Sequence, residues 1–211
     1  SLIETLNNDD KVDGILLQLP LPPHLNEKEI IEHIRPDKDV DGFTSINMGR
    51  MLKGEDCLIP CTPKGILTIL SHFSISTQGK RVTVIGRSEI VGKPMAVLLM
   101  NKGYDATVSV ANSKTKDLKS LTLSSDIVIS AVGKPMFLDS SYFSDGTVII
   151  DVGINRISDS TRKRGWRTVG DVDIDSLKDR DVFCTPVPGG VGLMTVASLM
   201  ENTFISRERR G

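Results

Sequence analysis

From residue 81 onward the sequence alternates between two hydrophobic periods at a steady pace, and this alternation restricts the fold more than any other feature. Arg81-Val82-Thr83-Val84-Ile85 is a short β-branched run of the kind that fills a buried strand. Val91 to Lys102 carries helical spacing and meets Gly103, a common helix stop. Ala106 to Ala111 reads as a second strand, Lys116 to Leu123 as a helix, and Asp126 to Val132 and Thr147 to Val152 as two further strands. Strands joined by helical crossovers pair in parallel, since a tight turn would reverse the second strand. The pattern predicts an α/β fold with a doubly wound parallel sheet.

The flanks read differently. Val12 to Leu19 is apolar on both faces and predicts a parallel strand, closed by Pro20-Leu21-Pro22-Pro23. A helix is expected from about Asn26, with Glu27 and Glu29 in its first turn and Ile30, Ile31 and Ile34 on one side, stopped by Pro36. Asp39-Val40-Asp41-Gly42 reads as a turn. Thr62 as N-cap and Pro63 at the first helical position predict a helix with Ile66, Leu67, Ile69 and Leu70 inside. Near the end, Val182-Phe183-Cys184 reads as a short strand. A helix from about Met194 to Arg207 follows, with Val196, Leu199, Met200 and Thr203 on its stripe. The division expected is a partial catalytic domain over 1–61, a cofactor domain over 62–187, and a loop and helix over 188–211 that return to the first. Ser1 to Leu6 reads as the end of a helix already under way, so further residues are expected upstream.

Composition excludes several functions. Among 211 residues, 26 Lys and Arg oppose 27 Asp and Glu, which argues against a nucleic-acid or polyanion surface. No apolar run approaches the roughly 18 residues that cross a bilayer. Cys57, Cys61 and Cys184 cannot build a disulfide framework and fit a reducing compartment, the cytoplasm. His24, His33 and His72 lack ligand spacing and Cys57-x-x-x-Cys61 lacks a second pair, so no metal is expected.

Gly86-Arg87-Ser88-Glu89-Ile90-Val91-Gly92-Lys93-Pro94 lies between the first strand of the alternating region and its helix. A doubly wound sheet binds a dinucleotide there, with the diphosphate at the helix N-terminus and glycines admitting it to the backbone N–H groups. Ser88 replaces the middle glycine of the usual motif and one residue is added before Gly92, so an ordinary strand-to-helix turn is the competing reading. The next strand ends in Val110-Ala111-Asn112-Ser113-Lys114-Thr115, without the carboxylate that binds a ribose 2′-hydroxyl. Ser113 and Lys114, with Arg87, suit a 2′-phosphate, which favours NADP over NAD. Gly133 and Asp151-Val152-Gly153-Ile154-Asn155 also follow strands, as ligand loops or as simple turns.

Seven segments carry a resemblance. They are Val12-Asp13-Gly14-Ile15-Leu16-Leu17-Gln18-Leu19-Pro20-Leu21-Pro22, Pro36-Asp37-Lys38-Asp39-Val40-Asp41-Gly42, and Pro60-Cys61-Thr62-Pro63-Lys64-Gly65. Gly86-Arg87-Ser88 with Val91-Gly92-Lys93-Pro94, Ile150-Asp151-Val152-Gly153-Ile154-Asn155, Gly170-Asp171-Val172 and Thr185-Pro186-Val187-Pro188-Gly189-Gly190-Val191-Gly192 complete the set. In this order the chain resembles the bifunctional methylenetetrahydrofolate dehydrogenase/methenyltetrahydrofolate cyclohydrolase family. The resemblance implies oxidation of 5,10-methylenetetrahydrofolate by NADP and hydrolysis of the methenyl product to 10-formyltetrahydrofolate. It implies that Gln18 lies beside the reacting carbon, between Leu17 and Leu19, and that Asp41 anchors the pterin. Gly86, Arg87, Ser88 and Ile154 are the implied cofactor contacts, with Ser113 at the adenosine phosphate. Pro188, Gly189, Gly190, Val191 and Gly192 form the implied closing loop, and a homodimer through the cofactor domain is implied. On the residues alone, Gln18 reads as a satisfied strand amide and Asp41 as a turn former; only the resemblance turns both toward function.

The departures from the family are specific. Its principal catalytic lysine sits in a Tyr-x-x-x-Lys motif upstream of the segment at Val12, and no such motif occurs here: Tyr104 and Tyr142 precede Val108 and Gly146 at that spacing. The expectation is a chain without the family's N-terminal portion and with impaired activity; the alternative is a non-catalytic dinucleotide-binding or oligomerisation module. Asn112 stands where the family commonly has His, and Leu193 where Pro usually follows the glycine loop.

Overall fold

The structure is a computed structural model that describes Leu2 to Arg210; the reading of Ser1 as helical lies outside those residues. The alternating region forms β1 (Arg81–Ile85), α5 (Gly92–Met100), β2 (Thr107–Ala111), α6 (Leu118–Leu123), β3 (Ile127–Ser130) and β4 (Val148–Asp151). With β7 (Phe183–Cys184) these strands make a five-stranded parallel sheet in the order β2-β1-β3-β4-β7. Val82, Val84, Ile127, Ile129 and Ile150 face one core, shared with α4 (Cys61–His72) and α5. Val128 and Ile149 face a second core with Leu138, Phe143 and Leu177. Central strands covered on both sides have no solvent face, which is why the sequence shows unbroken β-branched runs.

The expected strand at Val12–Leu19 does not form. Ile15 makes one parallel bridge to Asp39, through Ile15 N–H to Lys38 C=O at 2.7 Å. The partner segment turns away at Val40 to Gly42, so no ladder can propagate. Around this bridge lie α1 (Leu2–Asn8), α2 (Glu27–Glu32) and α3 (Ser45–Lys53), the last unforeseen and capped by Thr44. The end of α2 falls four residues before Pro36.

Two helix starts also move. α4 begins at Cys61 with Pro60 in the cap position, and the Thr62 hydroxyl pairs with that of Thr195 at 3.1 Å instead of capping. α7 (Val191–Arg210) begins three residues before Met194 and absorbs Val191 and Gly192 into its first turn. Its expected apolar stripe is only partly inward: Leu199 and Thr203 are half-buried, but Val196 and Met200 are 58% and 71% exposed, and Ser198, Asn202 and Ser206 are buried instead. Those three share one helix face at i, i+4 and i+8. The single Ser206 hydroxyl proton is shared between Asp13 C=O and Asp37 C=O, so a polar face replaces an apolar one by meeting backbone acceptors. A hairpin of β5 (Asn155–Ser158) and β6 (Trp166–Val169), also unforeseen, follows β4.

Candidate active site

Parallel register aligns the strand ends. Ile85 pairs with Ala111 on one side and Ser130 on the other, and Ser130 pairs with Asp151. Gly86, Asn112, Ala131 and Val152 therefore leave one carboxyl edge together. The chain passes from β1 outward to β2, then returns across to β3, so a crevice opens between β1 and β3. Gly86 sits at this crevice with φ +120°, and a Cβ there would lie 2.4 Å from Ala131 O. A Cβ on Gly92 would lie 2.3 Å from Gly86 O, so the first turn of α5 rests directly on the loop. Ser88 Oγ accepts from the N–H groups of Val91 (3.1 Å) and Gly92 (3.3 Å), capping α5, and its own O–H remains a donor for a ligand oxygen. Arg87 is exposed beside it. Glycines that no larger residue can replace, a helix N-terminus and a guanidinium fit a dinucleotide's diphosphate.

Two buried carboxylates hold the neighbouring loops. Asp171 accepts from Val132 N–H (2.8 Å), Gly133 N–H (3.3 Å), Lys134 N–H (3.0 Å), Ser130 Oγ (3.1 Å) and Asn155 Nδ2 (3.0 Å). Asp151 accepts from the N–H groups of Gly153, Asp171 and Val172, each at 2.9 Å. Burial pushes the Asp151 carboxyl up, against these hydrogen bonds, which pull it down. The clamp fixes the loop of Ile154, which lines a cavity of about 180 Å³ with Pro188, Gly189, Gly190, Val191 and Gly192. Ile154 and Gly189 are exposed, whereas Val191 is buried.

A larger cleft of about 820 Å³ separates the cofactor loop from α2 and α3, with Leu19, Phe43 and Met48 facing Arg87, Ser88 and Ile90. Lys28 crosses it to Glu89 at 3.3 Å, and Lys93 meets Glu89 at 3.1 Å. These two ammonium groups, Lys93 first, hold the Glu89 carboxyl below its usual range. Gln18 is exposed next to the cleft, its Nε2 donating to Leu19 C=O at 3.1 Å. Asp41 is half-buried and faces Cys61 at the start of α4; burial pushes its carboxyl up, the Cys61 thiol opposes that, and Asp39 adds to it.

Residues 60–211 match the model of the tetrahydrofolate dehydrogenase/cyclohydrolase NAD(P)-binding domain, and residues 1–41 match that of the family's catalytic domain. The chain belongs to the tetrahydrofolate dehydrogenase/cyclohydrolase family. The bifunctional protein FolD of Protochlamydia amoebophila is 52% identical over 207 residues, covering 97% of this chain and 71% of the relative. The crystal structure of the bifunctional FolD dehydrogenase/cyclohydrolase from Campylobacter jejuni superposes with a TM-score of 0.93 at 46% identity, over 100% of this chain and 72% of that one. The Trypanosoma brucei FolD structure, complexed with NADP cofactor and inhibitor, matches at 0.92 and 36% identity, over 99% of this chain and 71% of that one.

Within this family frame, the structure gathers Gly86, Arg87 and Ser88 on one edge with Ser113 and Ile154, and brings Leu19 to face Arg87. It does not bring Gln18 or Asp41 into the cavity lined by the Pro188–Gly192 loop. Ser113 lies in a turn where Asn112 N–H donates to Thr115 Oγ1 and Lys114 N–H to Asn112 Oδ1. Asp151 and Asp171 were visible in the sequence only as motif letters. A carboxylate at the end of a buried strand and a second beside a glycine mark two turns, and neither signals the donors it meets. Among the described residues no cluster of three or more His, Cys, Asp or Glu could hold a metal, and no helix is long and apolar enough to cross a membrane.

Proposed function

We propose that the chain binds NADP at the carboxyl edge of its sheet and a one-carbon derivative of tetrahydrofolate in the adjoining cleft. There it serves oxidation of 5,10-methylenetetrahydrofolate to the methenyl form and hydrolysis of that product to 10-formyltetrahydrofolate. The observation that carries the reading is the cleft in which Leu19 faces Arg87 and Ser88, because it sets the Gln18 segment beside the α5 N-terminus. Bound at Gly86, NADP supplies the hydride acceptor. The residues of the chain supply alignment, the main requirement of a hydride transfer. Gly86 and Ser88 seat the diphosphate, Ile154 borders the nicotinamide, and Arg87 with Ser113 takes the 2′-phosphate, which selects NADP over NAD. Leu17, Gln18 and Leu19 border the reacting carbon, with the Gln18 amide orienting the water and proton of the hydrolytic step without adding charge. Asp41 accepts from pterin N–H groups. Pro188, Gly189, Gly190, Val191 and Gly192 close over both ligands. The working division is 1–61 for the partial folate domain, 62–187 for the cofactor domain and 188–211 returning to the first, in a cytoplasmic homodimer joined through the cofactor domain.

A second reading is a dinucleotide-binding module without turnover, because the glycine loop and the α5 N-terminus are built by the parallel sheet and its own helix alone. Calorimetry with NADP, beside NADPH absorbance during incubation with methylenetetrahydrofolate, separates the two. Binding weakened about tenfold or more by Arg87→Ala, together with turnover, supports the enzyme. Binding without turnover selects the module, and no NADP binding ends both.

A further inference from the structure

Asn202 of α7 is 1% exposed and joins three separate segments. Its Nδ2 donates to Val40 C=O and to Ile59 C=O, each at 2.8 Å, and lies 3.6 Å from Cys61 Sγ. Its Oδ1 accepts from Lys64 Nζ at 2.9 Å. Both amide protons and the carbonyl are thus committed, an arrangement no apolar side chain and no hydroxyl reproduces. Val40 immediately precedes Asp41. The Cys61 sulfur, 3.3 Å from Val40 C=O, also faces the Asp41 carboxylate. One amide therefore holds the backbone next to Asp41 and borders the thiol opposite it.

We infer that Asn202 is a positioning residue for Asp41, holding Val40 and Cys61 so that the carboxyl group keeps one orientation toward the pterin. The inference rests on the proposed role of Asp41 and deepens it. The groups facing Asp41 are Asp39 on its own segment and Cys61 on α4; the charge that touches Asn202 is Lys64 of α4, paired with Glu201 of α7 at 3.2 Å, while Arg207, Glu208, Arg209 and Arg210 follow at the far end of α7.

Carbon NMR of the Asp41 carboxyl across pH tests this on the chain itself. The Cys61 thiol opposes the upward shift at Asp41, so releasing it moves the titration midpoint further up. Asn202→Ala is expected to raise the midpoint by about half a pH unit, Cys61→Ala to do the same, and the double variant to add nothing. Asp151, whose carboxyl is also pushed up by burial but lies in the loop clamp, serves as the unmoved control. An unchanged Asp41 midpoint in folded Asn202→Ala, or two shifts that add, overturns the inference. Asn202→Ser, which keeps one donor, provides the same readout with a smaller rise where the alanine variant does not fold. Folate affinity separates this from the parent reading: Asp41→Asn without effect ends the pterin role of Asp41 and leaves the titration result standing. If both hold, Asn202→Ala weakens folate binding about tenfold.

Discussion

The two halves of the molecule are held together by different physics. The parallel sheet is a backbone ladder between two apolar cores, with Val84, Ile129 and Ile150 fully buried. The region before α4 has one bridge among its described residues and is tied by polar side chains reaching backbone groups. Lys38, 1% exposed, donates from Nζ to Leu6 C=O at 2.9 Å and Asp9 C=O at 2.8 Å. Asp39 accepts from Gly42, Phe43 and Thr44 N–H groups and from Asn47 Nδ2. Asn7 joins α1 to His33 C=O and Arg35 N–H. A ladder satisfies its own backbone, whereas an irregular segment must borrow partners. The carboxyl edge combines both, a ladder behind and the Asp151–Asp171 clamp in front.

The largest effect is expected where the clamp meets the ladder. Asp171→Ala takes the acceptor from the loop N–H groups of Val132, Gly133 and Lys134 and from the buried Ser130 hydroxyl, and should cost about 2–3 kcal/mol in urea unfolding. NADP affinity should fall more than tenfold with it; full NADP affinity in this variant would show that the clamp does not shape the cofactor edge. Next is Gly92→Ala, whose Cβ would strike Gly86 O. Overpacking of this kind costs about 2–3 kcal/mol, and calorimetry should show NADP binding lost. Lys38→Met sharpens the contrast from the other side: about 1–2 kcal/mol of stability is lost as two carbonyls lose their donor, with NADP affinity unchanged. A fall in NADP affinity there would mean that the two halves are coupled more tightly than their separate bonding suggests.

The smallest effect is a pH dependence. Because burial raises the Asp41 carboxyl in the folded chain, the protonated form favours folding, and that contribution is lost as pH rises through the raised value. Asp41→Asn should therefore unfold at slightly higher urea than the parent at pH 7, by under about 1 kcal/mol, with the gap closing toward pH 4. A gap that widens on acidification would place Asp41 among the stabilising carboxylates instead.

Legibility followed the same divide. The strands and helices from Arg81 to Val152 read correctly to within a few residues because each has its own local period and its neighbours lie next in register. The turn at Gly86 and Ser88 was legible because a strand-to-helix connection is local, and the structure places it between β1 and α5. The strand expected at Val12–Leu19 failed because an apolar run specifies burial without specifying a ladder partner. α7 misled for a related reason: its apolar residues are at helical spacing, yet Ser198, Asn202 and Ser206 face inward because carbonyls from distant segments wait there. Asp171 carried no local signal for its five donors, which come from β3, the loop after it and β5.

By its residue pattern the sequence determined a parallel doubly wound sheet and the glycine loop that opens its carboxyl edge, while the order of its motifs carried the resemblance to a folate-dependent family. These follow from periods, turn chemistry and motif order, all properties of residues near one another in the chain. Only the tertiary structure decided which buried polar groups meet: Asp171 with the loop after β3, Lys38 with the end of α1, Asn202 with Val40. A buried donor or acceptor accepts any partner of suitable geometry, so its choice depends on what folding brings within about 3 Å.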